Sequence, residues 1–491
     1  MTEQSKIPKS DLELAVKALT KKTAPYKALF GYYDGDQKLK YNTERLRDIF
    51  KELSFDFTEN WCAVVIDSTA NRVNLKSFIV KSEEKKKPKL LKAVERVAQR
   101  AGLKAPPAQA TLNEIVDRNR LILESDDVHE VAMVIGESFY YVWPDADGKA
   151  EGFYNDPRLV HLFYEEEHPR KKKFAAKWWR TFDKRTRLVL YYPDRFEYYS
   201  TKPMKKSSEI KAEAFEPTDD EGQPLGEGVE KFENEYGEVP WFHFRPELRK
   251  IKSDLKNVIG PQDAINKLLA DLIVTSEFSA YPQRYIISSA DSDTKLKNAP
   301  YLVWDLAAGI GDDQPTVVGS LPTSDPKAYL DPVNREVRAI GAITQTPNHL
   351  LMETASTQIS GEALIVLESP INKKAQNRID LFSPVWAEVA VFMLLIEGVK
   401  NMKPSDISPI FDDPATVQPK TRAEITQINV NSGIALTTEL KRSGWSEAEI
   451  DDMLIEKKEE QMARQQSMAA AMLESRRKFD NPELGDGLDD E

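Results

Sequence analysis

The segment Gly341-Ala-Ile-Thr-Gln-Thr-Pro-Asn-His-Leu-Leu-Met-Glu-Thr-Ala-Ser-Thr-Gln-Ile-Ser360 contains no lysine or arginine. It opens directly onto Gly361-Glu362-Ala363-Leu364, the start of an apolar-rich run that continues to Ile396-Glu397-Gly398. A polar loop feeding a long helix, with no catalytic set beside it, reads as a mechanical part. Ser360 is placed to cap the helix, Glu362 to favour its dipole and Gly398 to stop it. Pro370 and Pro384 each remove a backbone donor and crowd the preceding turn, so both are expected hinges where the helix bends or breaks. Laid straight, residues 361–397 would reach about 55 Å at about 1.5 Å per residue.

Upstream, Asp325–Ile343 carries a helical pattern with Pro326 and Pro332 near its start. Leu255–Ala280 carries another, with Pro261 at its first turn or at a bend. In the second, Ile265, Leu268, Leu269, Leu272 and Ile273 form one apolar stripe, which suits an intrachain core and a neighbouring subunit equally. Between the two helices lie short β-rich runs, Arg284–Ile287, Tyr301–Trp304 and Thr316–Val318, separated by loops rich in Asp and Gly. A small β module is thus inserted between two helices.

Nearer the N-terminus the pattern predicts a helix over Ser10–Thr23, capped by Ser10 and stopped by Pro25. Further helices are predicted over Asn60–Arg72, Leu90–Ala101, Thr111–Leu123 and Asp126–Gly136, with a strand at Val73–Val80. Glu137–Trp143 turns to β composition. Four aromatic-rich strands at Leu159–Tyr164, Phe174–Phe182, Arg187–Tyr192 and Phe196–Tyr199 read as an antiparallel meander whose aromatics belong to a core rather than to stacked bases. The Lys81–Lys89 charge run reads as a solvated segment, Lys202–Glu235 as a mobile loop, and Gly237–Arg245 as a strand returning to the body. At the other end, Phe411–Pro419 is a spacer. Helices follow at Lys420–Ser432, Ala435–Ser443 and Glu447 to about Lys478, the last with a Ser446/Glu449 capping box. The acidic Phe479–Glu491 reads as disordered.

The 491 residues suffice for two to four domains. A formal net charge of -12 argues against tight, nonspecific nucleic-acid binding, which relies on Lys and Arg displacing counterions. The single cysteine, Cys62, leaves no intrachain disulfide and no Cys-rich zinc site, and the N-terminal Met-Thr-Glu-Gln-Ser-Lys has no apolar stretch of a signal peptide. The run Val389–Ile396 is too short to span a bilayer. A soluble protein of a reducing compartment is expected. Phosphate-loop, dinucleotide, zinc-protease and nucleophile-elbow motifs are all missing from the sequence. The pairs Asp126-Asp127, Asp219-Asp220, Asp312-Asp313 and Asp412-Asp413 offer Mg²⁺ ligands in principle, but each lies beside a turn or cap signal. Ser360-Gly361 lacks a base and reads as a cap, and His349 as a solvated side chain in a polar loop. No cofactor or metal is expected.

Several stretches together resemble the portal proteins of tailed bacteriophages, in the large siphophage-type group. Asn60-Trp-Cys-Ala-Val-Val-Ile-Asp-Ser-Thr-Ala-Asn-Arg-Val73 is similar to an early helix of that family. Val131-Ala-Met-Val-Ile-Gly-Glu-Ser-Phe-Tyr-Tyr-Val-Trp143 is similar to a helix-to-strand turn, and Glu238-Val-Pro-Trp-Phe-His-Phe244 to the strand leading to the stem. Gly260-Pro-Gln-Asp-Ala-Ile-Asn-Lys-Leu-Leu-Ala-Asp271 and Phe278-Ser-Ala-Tyr-Pro-Gln-Arg284 resemble the first stem helix and its exit. Thr346-Pro347 followed by Ile359-Ser-Gly-Glu-Ala-Leu364 resembles the tunnel loop running into the long helix. The order and spacing of these pieces over residues 25–455 carry the likeness; Lys81–Pro107 and Lys202–Glu235 take no part in it.

The resemblance implies an α+β, mainly helical portal fold that assembles into a ring, typically a dodecamer. Its parts would be a wing (1–250), first stem helix (251–280), clip (281–325), second stem helix (326–343), tunnel loop (344–360), long kinked helix (361–403), crown (404–478) and tail (479–491). It also implies a capsid-vertex channel for packaging and ejecting double-stranded DNA, assembled in the host cytoplasm. The implied partners are the terminase large subunit, a head-completion or adaptor protein, and major capsid and scaffolding proteins, with no membrane. Thr344, Gln345, Asn348, His349, Glu353, Thr354 and Ser356 would line the channel. The competing readings are a Mg²⁺-dependent nucleic-acid enzyme built on the acidic pairs and a scaffold without a DNA role.

Overall fold

The computed structural model describes residues 10–40, 58–81, 108–204, 210–225, 231–280, 284–287, 317–320, 325, 327–352, 361–415, 419–442 and 447–480. The expected helix Leu90–Ala101, the strand Tyr301–Trp304 and the tail 481–491 lie outside these residues. The fold is α+β and mainly helical. It divides into residues 1–415 and 416–491.

The first unit begins with α1 (Asp11–Asp34), capped by Ser10, whose hydroxyl accepts from the Glu13 N–H at 3.3 Å. Pro25 was expected to stop this helix, yet the helix runs through it. Tertiary anchors on both sides outweigh the lost backbone bond. Lys22 and Tyr26 both donate to Glu137, while Tyr32 and Tyr33 donate to Asp263 and Asp67. Next come α2 (Trp61–Ala70), β1 (Leu75–Val80), α3 (Ala108–Arg118) and α4 (Leu121–Ile135). The break between α3 and α4 falls at Arg120, in the left-handed region at φ 49°, rather than after Leu123 as expected. No glycine or proline marks it. Instead the Asn119 side chain donates to Ala150 O and accepts from Gly152 N, which halts the helix by a long-range contact.

The expected aromatic meander is present. Strands β2 (Ser138–Pro144) and β3 (Ala150–Asn155) pair, and β2 also pairs with β10 (Trp241–Phe244), the returning strand. A second antiparallel sheet runs β4 (Val160–Tyr164), β5 (Lys172–Arg180), β6 (Thr186–Tyr191), β7 (Arg195–Thr201) and β8 (Phe215–Thr218), with β9 (Lys231–Glu233) also on β7. The Lys202–Glu235 segment, expected as a mobile loop, therefore supplies two strands. Period-two alternation sorts the second sheet's side chains. Phe174, Ala176, Trp178, Leu188 and Leu190 pack under Ala15, Val16 and Leu19 of α1. From the opposite face Ala175, Val189 and Tyr191 pack against Phe139 and Trp241 of the first sheet. These aromatics are core, as expected.

Where the two sheets and α1 meet, Glu137 is fully buried. It accepts from Lys22 Nζ at 3.1 Å, Tyr26 Oη at 2.8 Å and His243 Nε2 at 2.9 Å. Burial alone would raise its carboxyl; the Lys22 charge and the His243 hydrogen bond outweigh it and hold the pKa well below the usual carboxylate value. His243 is held low by burial and so is neutral, with its Nδ1 left to accept from Tyr164 Oη at 3.1 Å. Its neighbour Gly136 sits at φ 102°, and a Cβ there would lie 2.6 Å from the Lys252 carbonyl carbon.

The largest core gathers α2, α4, β1 and the far half of a long helix, α8 (Gly361–Ile396). At its centre His129 is fully buried. Burial lowers it to about 3, so it is neutral: its Nδ1–H donates to Val73 O at 3.0 Å and its Nε2 accepts from Trp386 Nε1 at 2.8 Å. Into this core lead α5 (Ile259–Ala280) and α6 (Lys327–Thr344), through Ile265, Leu269, Val333, Val337 and Ile340. Between α5 and α6 in the chain, β11 (Arg284–Ile287) pairs antiparallel with β12 (Val317–Ser320). The unit closes with β13 (Ile407–Phe411), which pairs with β1. No local pattern announced that strand, which falls inside the segment expected to begin a separate crown at 404. The second unit contains α9 (Pro419–Asn431), α10 (Leu436–Arg442) and α11 (Glu447–Asp480). Within it Asn429 donates to the largely buried Glu439 at 3.0 Å.

Candidate functional site

The loop-bearing stretch is built from the end of α6 and the start of α8. At the end of α6, Gln345 takes the left-handed conformation at φ 61°, and Thr346 N donates back to Gly341 O at 3.0 Å. Pro347 then starts the short turn α7 (Asn348–Leu351). Leu351 is buried and lies over Gly341, where a Cβ would come within 2.8 Å of Leu351 Cδ1 and 3.0 Å of Thr346 O. The glycine that opens the quoted segment is therefore a notch for the loop.

Of the expected channel-lining residues, Gln345 and Asn348 are exposed. Thr344 is not available: it is buried, donates to Ile340 O at 2.7 Å and shares a 2.9 Å hydrogen bond with Thr346. A helix-terminal threonine satisfies itself on the preceding turn, which the loop reading overlooked. His349 was expected to be solvated. Instead its Nε2 lies 3.1 Å from Glu368 Oε1 on α8. Glu353, Thr354, Ser356 and the expected cap Ser360 lie outside the described residues.

Glu368 also faces Arg72, whose Nη2 lies 3.3 Å from its Oε2. Arg72 is aimed there by donating to Ser68 O at 2.7 Å and to Asn372 Oδ1 at 3.0 Å. Further along α8, Asp254 pairs with Lys374 at 3.1 Å and Arg378 at 2.9 Å, and Arg378 also donates to Pro246 O. Burial alone would raise Asp254; the two cations outweigh it and lower its pKa. The long helix is thus tied by ion pairs to the end of α2 and to the lead-in of α5, and by a hydrogen bond to α7. α8 runs without a break through both Pro370 and Pro384, which are exposed, so each missing donor is on the solvent side of a packed helix. It ends as expected, with Gly398 at φ 82° and Val399 N donating to Leu394 O. The helix is long and apolar enough to cross a membrane over Ala363–Ile396. However, Phe382, Trp386, Val389, Ala390, Phe392, Met393 and Leu394 are the centre of the protein core.

The first turns of α5 carry a polar anchor that periodicity did not reveal. Gln262 accepts from Trp61 N and donates to Glu59 O, while Asn266 accepts from Glu59 N and donates to Gln37. Asp263 accepts from Tyr32 at 2.7 Å and Lys40 at 2.9 Å. All three are buried. The only sequence signal was three polar residues beside the apolar stripe, which a solvated face also produces.

These anchors lie inside one continuous match: the family described as "Phage portal protein, SPP1 Gp6-like" covers residues 17–463. The chain belongs to this portal family. No curated protein matches it. In this portal chain the described acidic pairs sit on separate elements. Asp126 and Asp127 lie inside α4 rather than at a turn, Asp219 closes a turn onto Gln223, and Asp412 pairs with Lys76 at 3.1 Å. Asp413 accepts from Ala415 N, and Asp312-Asp313 lie outside the described residues. Among the described residues, no three His, Cys, Asp or Glu gather as a metal site would require.

Proposed function

We propose that the chain is the repeating subunit of a dodecameric ring at one capsid vertex, through which double-stranded DNA is packaged and later ejected. The carrying observation is the portal-family match over 17–463. The order helix α5, two-stranded β11–β12 module, helix α6, loop, long helix α8 supports the same reading. In it, residues 1–250 are the wing, α5 and α6 the stem, 281–325 the clip, 344–360 the tunnel loop and 404–478 the crown. The clip meets the terminase large subunit and later a head-completion protein, while capsid and scaffolding proteins surround the wing. Assembly takes place in the host cytoplasm.

Moving DNA past a wall calls for a surface that touches the backbone without gripping it. Residues 341–360 carry no Lys or Arg, so they release no counterions from phosphate; Gln345 and Asn348 offer neutral hydrogen bonds. Exposed Leu330 and Ile343 on α6 and Ile365, Val366 and Leu367 on α8 suit contact with neighbouring copies. The protein acts as a conduit and not as an enzyme.

Native mass spectrometry and cryo-electron microscopy of the purified protein test this. A closed ring with a channel wide enough for duplex DNA is the expected result; monomers only, or a channel too narrow for duplex, overturns it. Metal-dependent DNA cutting by the purified protein would overturn the non-enzymatic part.

A further inference from the structure

The first turns of α8 are inverted. Ala363, Ile365, Val366, Leu367, Ser369 and Pro370 are exposed, whereas Glu368 is buried among them. Ordinary amphipathicity would put a leucine inward and the glutamate outward. Placing a carboxylate inward is costly unless it is paired, and both oxygens of Glu368 are engaged. Its partners come from elements far apart in sequence: Arg72 follows α2, and His349 stands on the short turn α7. A local rule broken with such full compensation marks a functional device more often than a packing accident.

We propose that His349, Glu368 and Arg72 form a latch that fixes α7 to the long helix. The inference rests on the reading of residues 344–360 as the tunnel loop and deepens it by naming the residues that position that loop. Arg72 is the fixed end, held by Ser68 O and Asn372. Glu368 is the bridge and His349 the releasable end, since it is the only member carried by the loop segment. Opposite His349, Asn348 and Leu350 are exposed. When the latch is closed, the face carrying Asn348 is held at a set distance from α8. Leu351 in the Gly341 notch is the second point of attachment, so opening the latch leaves a segment hinged at one end.

The test is amide hydrogen exchange on the full-length protein, comparing residues 341–352 with residues 382–394 of α8 as an internal reference. His349→Ala is expected to raise exchange across 346–352 by about ten- to hundredfold, the cost of one hydrogen bond to a charged group, and to leave 382–394 unchanged. His349→Gln keeps a donor toward Glu368 and is expected to restore most of the protection. Glu368→Ala is expected to loosen the same segment; where it fails to fold, the two His349 variants decide alone. Unchanged exchange in His349→Ala, or no recovery in His349→Gln, overturns the latch. The same variants are then assembled into particles and their DNA content measured. Loosened exchange with altered packaging supports both ideas; loosened exchange with normal packaging keeps the latch and overturns the assignment of this loop to the channel.

Discussion

Two buried glutamates organise two regions of this molecule, and they differ in what they hold. Glu137 joins α1, the start of β2 and β10, all parts of one packed body, and takes Lys22, Tyr26 and His243. Glu368 joins the long helix to α2 on one side and to a loop-borne histidine on the other, with apolar side chains exposed around it. Each region also has a glycine under close approach, Gly136 against the Lys252 backbone and Gly341 against the Leu351 side chain. The chemistry is shared; the mechanical setting is not. A buried carboxylate bonded inside a body fixes the fold, while one bonded between a body and a loop fixes a position that can be given up.

Acid should separate the two most strongly. Burial lowers His129 to about 3 and His161 to about 4, and lowers His243 as well, against an ordinary value of 6.5. The unfolded chain therefore binds protons that the native state refuses. Stability from these groups is fully present above pH 6.5 and is lost as pH falls toward 4, by up to about 1.4 kcal/mol per pH unit for each histidine. Glu137, held below its ordinary 4.5, adds a further loss below that pH. Urea unfolding midpoints measured from pH 7 to pH 4.5 should fall steadily; a flat profile would break the account of these buried neutral histidines, His243 beside Glu137 among them.

Next in size, Glu137→Gln should cost about 3–5 kcal/mol, because it leaves Lys22 buried and uncompensated. The double variant Lys22→Met with Glu137→Gln should recover much of that loss in the same denaturation assay. No recovery would mean that the tyrosine and histidine contacts, rather than the ion pair, hold the junction.

The glycine pair gives the smallest effects and the sharpest contrast. Gly136→Ala meets backbone at a positive φ, where nothing nearby yields, and should cost about 3 kcal/mol. Gly341→Ala meets mostly the flexible end of Leu351 and gains helix propensity, so the net cost should be about 1 kcal/mol. Its main consequence should be a displaced 346–352 segment, read by hydrogen exchange or by a spin label at Leu350. Equal costs for the two substitutions would collapse the distinction between a body and a hinged loop.

The elements that the sequence misread fail for a common reason. Pro25 is a strong local breaker, and side-chain anchors distant in sequence overrode it. The turn at Asn119-Arg120 has no local marker because its cause is β3. Strand β13 is short and ordinary, and only its partner β1 makes it a strand. Thr344 reads as a polar loop residue and is buried, while His349 reads as solvated and is hydrogen-bonded to Glu368. In each case the deciding atom is far away along the chain.

What the sequence determined alone is what periodicity and composition can carry. That covers the helix–β module–helix–loop–helix order from Leu255 to Gly398, the aromatic meander, the apolar far half of α8 and a loop without cations. These follow from side-chain spacing on regular backbones and from charge counting, neither of which needs a partner. Only the tertiary structure decided which polar residues went inside. Glu137, Gln262, Asn266 and Glu368 look like surface residues in the chain, because burial of a polar group depends on donors and acceptors that folding brings from elsewhere. The segment from Gly341 onward thus remains a stretch without cations leading into a long helix, but its first half is bonded to a glutamate that no local pattern would place inside.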